Sequence, residues 1–238
     1  AKEKGATTLG IINVYNSSIA RVVDFVIYTH AGCEVAVAST KAYTSQVYVL
    51  GLLALEYQKK MEEKNTYQEL PQKIEELIKF DYSTIVKHLY QKKDIFYLGR
   101  NIDYVSMLEG SLKLKEITYI HSEAFPAGEL KHGPISLIEE DTPVIALITH
   151  EETAAKTISN IKEVKARGAY VVLIIEDGIV DSIDKNCYDE VIYLPKTDEY
   201  TCPILSIIPL QLIAYYTAKK KNLDIDKPRN LAKSVTVE

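Results

Sequence analysis

Apolar positions along this chain fall into short Val/Ile-rich runs and longer runs with helical spacing, and the two kinds alternate. Residues 7–15 (TTLGIINVY) and 24–29 (DFVIYT) are β-rich and predict two strands. Between them, Asn16, Ser17 and Ser18 offer a cap for a short helix reaching about Val23. Residues 38–60 predict a long apolar helix, with Ser39 and Thr40 as candidate caps. Residues 61–70 turn polar and predict a link, after which Pro71 opens one helix and residues 82–91 form another. Residues 94–100 (DIFYLGR) predict a strand whose Gly99 permits a close turn. A helix follows from about Tyr104, with Val105, Leu108, Leu112, Ile117 and Ile120 as its apolar stripe. After a polar turn come strands at 143–148, 170–177 and 190–194, a helix at 151–167, and a long apolar helix at 202–221 with Pro209 as a candidate kink.

This alternation predicts an α/β fold, a three-layer α/β/α sandwich built on parallel sheets. The pattern divides into the later part of one unit over residues 1–70, a second unit with its linker helices over 71–221, and a tail over 222–238. The opening AKEKG reads as the last turn of a helix with a glycine stop, so further native sequence is expected upstream.

Composition narrows the function classes. The 28 Lys and Arg against 33 Asp and Glu leave a net charge of −5, and no basic tract interleaved with aromatics supports a nucleic-acid partner. Cys33, Cys187 and Cys202 are odd in number and far apart, which argues against a disulfide framework and a cysteine metal site. No apolar run is long enough to span a membrane and no signal-peptide pattern opens the chain, so a cytoplasmic protein is expected.

Candidate chemistry concentrates in two places. Glu109, Lys113 and Glu116 recur at i, i+4 and i+7 and stack on one face of the central helix. On a solvated face such pairs contribute only a few tenths of a kcal/mol, about 0.2–0.5 each. The turn that follows packs Glu129, Lys131, His132, Gly133 and Pro134 together, and a histidine delivered this way points to acid and base work near neutral pH. The second place is the start of the 38–60 helix, where free amides with Ser39, Thr40 and Lys41 suit a phosphate. His121, Glu123 and His132 lack zinc spacing, and there is no Walker or dinucleotide glycine motif; neither a metal nor a cofactor is expected.

Three separated stretches carry a resemblance: CEVAVASTKAYTSQ at 33–46, VSMLEGSLKLKEITYIHSEAFPAGELKHGPISLI at 105–138, and DKPRNLAKSVTVE at 226–238. Together they resemble the isomerase region of the isomerising glutamine:fructose-6-phosphate aminotransferases, the glucosamine-6-phosphate synthase family. The resemblance implies paired sugar isomerase (SIS) domains of flavodoxin-like architecture. It implies conversion of fructose 6-phosphate and glutamine-derived ammonia to glucosamine 6-phosphate, the first step of the route to UDP-N-acetylglucosamine. It further implies that Glu116 moves the C1/C2 proton with Lys113 of KLKE beside it, that His132 of ELKHGP opens the sugar ring, and that Lys233 of NLAKS forms the Schiff base. Val37, Ala38 and Ser39 would line the sugar-phosphate site, with Thr40 a weaker candidate, Ala232 would touch the sugar through its backbone, and the tail would fold over it.

In that family the histidine comes from a neighbouring subunit, which implies a homodimer or higher oligomer. The apolar helices at 43–58 and 203–218 have surface for such an interface. The chain departs from the family pattern in carrying neither a glutaminase domain nor the serine- and threonine-rich loop that holds most of the phosphate. The glutaminase domain of a parent polypeptide would supply ammonia, and these 238 residues alone are not expected to be fully active. A non-catalytic sugar-phosphate-binding regulatory module is the main alternative, and a structural oligomerisation domain is a third. Joint presence of Lys113, Glu116, His132 and Lys233 favours the enzyme.

Overall fold

The computed structural model describes residues 1–179 and 183–234, so the last four residues of the tail lie outside the described part. Two parallel sheets are present among these residues. In the first, β1 (Leu9–Ile12) pairs with β2 (Phe25–Tyr28), Leu9 opposite Phe25. The second has five strands: β3 (Asp94–Gly99), β4 (His121–Pro126), β5 (Pro143–Ile148), β6 (Tyr170–Glu176) and β7 (Glu190–Leu194), in the order β4-β3-β5-β6-β7.

Every residue of β5 is buried, as expected of a central parallel strand covered on both faces. Its side chains alternate between two cores. Ile145 and Leu147 join Leu114, Ile117, Leu205 and Ile213 from α4 (Ile102–Thr118) and α6 (Cys202–Lys220), on the face where α2 (Asn65–Lys79) and α3 (Ser83–Leu89) also pack. Val144, Ala146 and Ile148 face Ile158, Ile161 and Val164 of α5 (Glu151–Lys165). Each fully buried aliphatic side chain of this kind contributes about 1.5–3 kcal/mol relative to exposure. No helix among the described residues is long and apolar enough to cross a membrane.

Several expectations are corrected. Residues 16–23 form turns rather than a helix; Ile19 and Val22 stay exposed, and so short a segment gains too little from one turn's hydrogen bonds without a packed face. The helix α1 (Lys41–Gln58) has Thr40 at its N-cap, but no side chain caps it. The polar 61–70 segment is largely helical, and Pro71 sits inside α2 instead of opening it, because Tyr67, Leu70 and Leu77 seat that helix in the core. The strand β4 was hidden in the sequence by its polar character, HSEAFP, which suits a half-exposed sheet edge.

The apolar stripe expected along α4 holds only at its end, where Ile117 and Ile120 are buried. Val105, Leu108 and Leu112 are 40–50% exposed, while Ser106, Met107, Gly110, Ser111, Lys113 and Leu114 are buried. Small residues bring α4 and α6 close: a Cβ on Gly110 would lie 2.7 Å from Leu210 Cδ1, and Ser206 Oγ donates to Ser106 Oγ at 3.2 Å. Most of the apolar surface of α6 is buried within the chain, with Tyr215 left exposed, and α1 leaves Tyr48, Leu50 and Tyr57 exposed.

Candidate functional site

The packing of α4 draws its charged face inward. Lys113 is 4% exposed, and its ammonium lies 2.7 Å from Glu116 Oε2 and 3.4 Å from Glu109 Oε1. An unpaired buried ammonium would be penalised by several kcal/mol, so the two carboxylates are what make its position tolerable. The contact with Glu116 Oε2 is an ion pair without hydrogen-bond alignment, and that buried oxygen has no donor among the described residues. Glu109 titrates above the usual carboxylate range because it is buried, with Lys113 opposing. Its charge in turn adds to burial in raising the phenol of Tyr43 on the first turn of α1.

The second cluster is assembled from segments remote in sequence. Lys233 Nζ donates to Glu34 Oε1 at 2.9 Å and to the Val37 carbonyl at 3.4 Å. Ser39 Oγ donates to the same Glu34 oxygen at 3.0 Å, so it serves this cluster rather than capping α1. The Lys233 hydrogen bond is the main cause that holds Glu34 below the ordinary carboxylate value, against partial burial. Val37 N donates to the Asp226 carbonyl at 2.9 Å, pinning the loop to the tail. A cavity of about 740 Å³ opens here, lined in part by Asn13, Tyr15, His30, Cys33, Glu34 and Lys233. A hollow of about 800 Å³ between α3 and the end of α6 shares none of these residues.

The tail connects the two clusters. Tyr119, in left-handed conformation at the end of α4, accepts a hydrogen bond on its phenol oxygen from Arg229 N at 2.7 Å. Tyr119 lies three positions after Glu116, and Lys233 four positions after Arg229. Ala38 is buried behind the loop, Thr40 is exposed at the head of α1, and Ala232 is exposed next to Lys233.

His132 is not brought to either cluster. It is exposed on the 3-10 turn Leu130–His132, before Gly133 at φ 150°, and its side chain makes no hydrogen bond or ion pair among the described residues. The adjoining Leu130 and Ile138 pack into the core on the α5 side of the sheet, while Glu116 belongs to α4 on the other side. The turn follows the C-terminal end of β4, whereas Glu116 lies near the end where β4 begins, a strand length of about 17 Å away.

Sequence reasoning missed Glu34, Tyr119 and Arg229. Glu34 was findable, being the only carboxylate in the 33–46 stretch. Tyr119 and Arg229 carry no local signal, because their contact spans 110 positions.

A family model described as SIS domain matches residues 1–56 and 88–219. The chain is 49% identical over 251 residues to glutamine–fructose-6-phosphate aminotransferase [isomerizing] of Caldanaerobacter subterraneus subsp. tengcongensis. It is 51% identical over 249 residues to the protein of that name in Clostridium tetani. Both matches take in 100% of this chain but 41% of the relative, so the chain spans about two fifths of the length of these curated relatives. Among solved structures, the C-terminal domain of glucosamine-fructose-6-phosphate aminotransferase from Francisella tularensis superposes with a TM-score of 0.88 at 34% identity, covering 95% of this chain and 67% of that one.

Proposed function

The chain belongs to the SIS domain family, within the lineage of the isomerase half of glutamine–fructose-6-phosphate aminotransferase, and we propose that it performs the sugar chemistry of such an enzyme. The reaction is conversion of fructose 6-phosphate and ammonia to glucosamine 6-phosphate in the cytoplasm. A glutaminase region of the complete polypeptide releases the ammonia from glutamine. In this reading residues 1–70 are the later part of a first SIS domain, 71–221 the second with its linker helices, and 222–238 a tail over the sugar.

The observation that carries the reading is Lys233, folded back across 199 positions onto the loop of Ser39 and held next to a cavity. Lys233 attacks C2 of the open-chain sugar and forms an imine. Val37, Ala38, Ser39 and Thr40, with the backbone of Ala232, hold the sugar phosphate near the head of α1. After nitrogen exchange, Glu116 removes a proton from C1 and delivers one to C2, while Lys113 fixes the carboxylate and offsets charge on the neighbouring oxygen. His132 exchanges protons during ring opening from a second copy of the chain, since its own fold keeps it on the far side of the sheet from Glu116. Similarity of about half over the entire chain to aminotransferases disfavours a purely regulatory sugar-binding module.

The test is reductive trapping. The complete polypeptide is incubated with fructose 6-phosphate, reduced, digested and mapped by mass. An adduct on Lys233 is expected; saturating sugar with no adduct there would sink the imine role.

A further inference from the structure

We propose that Glu34 is the counter-ion of the Lys233 nitrogen through the reaction, docking the ammonium before the sugar arrives and stabilising the cationic imine afterwards. The inference rests on Lys233 being the imine-forming lysine. Three observations carry it. The Glu34–Lys233 contact, at 2.9 Å, joins two stretches 199 positions apart at the wall of one cavity. Among the described residues, Glu34 is the only carboxylate lining that cavity. Both Lys233 and Ser39 use Oε1, so Oε2 keeps its capacity to accept from a sugar hydroxyl or from the reacting nitrogen.

Stability alone is a weak reason for this pair. Its side chains are 37% and 21% exposed, and ion pairs so open to water contribute little to folding. The same carboxylate is well placed for chemistry. Lys233 first releases a proton to solvent, and its lone pair adds to the C2 carbonyl carbon as the carbonyl π bond opens onto oxygen. A proton passes from nitrogen to that oxygen, giving a carbinolamine. The hydroxyl then takes up one proton and leaves as water, its C–O bond breaking as the nitrogen lone pair forms the C=N bond. Nitrogen begins and ends with a positive charge, so a fixed anion beside it supports both states and disfavours the neutral one.

Among the described residues, the other titratable or charged groups around Glu34 are Lys41, whose ammonium donates to the Cys33 carbonyl at 2.5 Å, the Cys33 thiol, and His30, bonded through Nδ1 to Tyr15 Oη at 3.0 Å. None of these is a carboxylate, which leaves Glu34, among the described residues, as the group that can balance the nitrogen's charge here.

The experiment is borohydride trapping of the complete enzyme with fructose 6-phosphate from pH 5 to 10, comparing wild type, Glu34→Gln and Glu34→Asp. Removing the charge is expected to move the alkaline limb of the Lys233 adduct profile down by about one unit or more, and Glu34→Asp to keep it near wild type. Thermal melts confirm that the variants are folded. A Glu34→Gln profile that coincides with wild type overturns the proposal, and so does a variant that only raises KM, the mark of a passive tail anchor. Absence of any Lys233 adduct in wild type overturns the underlying imine reading instead.

Discussion

Arg229 lies on Tyr119, its guanidinium 4.2 Å from the ring centroid and its backbone amide 2.7 Å from the phenol oxygen. This double contact ties the tail to the end of the helix that carries Glu116, and through four more residues to Lys233. A cation over an exposed ring contributes about 0.5–1 kcal/mol and a neutral hydrogen bond about 0.5–1.5 kcal/mol. Tyr119→Ala is therefore expected to loosen the tail by about 1–2 kcal/mol and raise KM for the sugar roughly 5–30-fold, with Tyr119→Phe between it and wild type. Faster hydrogen exchange at residues 226–234 would accompany the change. Unaltered exchange and KM would show that the tail is held elsewhere.

The contact of α4 with α6 predicts a stability effect. Gly110→Val puts atoms where Leu210 Cδ1 already lies, 2.7 Å from a Cβ, and overpacking of this sort costs about 1–3 kcal/mol. A lowered melting temperature is expected, partly restored by adding Leu210→Ala. A variant as stable as wild type would mean that the two helices slide apart without penalty.

These two contacts also explain what could be read in advance. Strands β5 and β6 were legible because an unbroken apolar run such as PVIALI suits a strand buried on both faces. Strand β4 was not, since an edge strand keeps polar residues such as His121 and Glu123 exposed. The first half of the α4 stripe, Val105 to Leu112, misled because hydrophobicity marks which residues avoid water, whereas close helix packing selects small ones like Gly110 and Ser106. Lys113 and Glu116 announced themselves by spacing, yet their burial did not, because it depends on α6. Lys233 was identifiable only through the family resemblance, since its contact with Glu34 is set by tertiary folding.

Glu116→Gln preserves shape while removing the base. Solvent exchange of the C1/C2 proton is expected to fall about 10²–10⁴-fold, with sugar affinity little changed. Lys113→Met should lower kcat as well and destabilise the fold, since it leaves Glu109 and Glu116 facing each other without a cation. Exchange at the wild-type rate in Glu116→Gln would remove Glu116 from the proton path.

A pH effect on stability arises away from the site. His150 Nδ1 lies 3.8 Å from Oδ1 of the buried Asp103, and this carboxylate chiefly raises the His150 pKa against burial, helped by Glu176 and Glu199. A raised folded value favours the protonated form. The stabilisation is fully present below the unfolded histidine value of about 6.5 and is lost as pH climbs through the higher folded value. Wild type is thus expected to gain melting temperature relative to His150→Gln on going from pH 8 to pH 6. Parallel curves for the two proteins would rule out this linkage.

The separation of His132 from Glu116 by the sheet leads to a complementation test. If each site takes Glu116 from one copy and His132 from another, His132→Gln and Glu116→Gln proteins are each inactive, but a mixed dimer has one site with both residues intact. Random pairing makes half of the dimers mixed, each with one good site of two, so remixed protein should recover about a quarter of wild-type turnover. The mixture must be dissociated and reassembled, because mixing intact dimers exchanges nothing. Activity that stays at the level of the separate variants, with mixed dimers demonstrated by native mass, would require His132 and Glu116 to act within one chain and so demand a rearrangement of the turn at Leu130–His132 across the edge of β4.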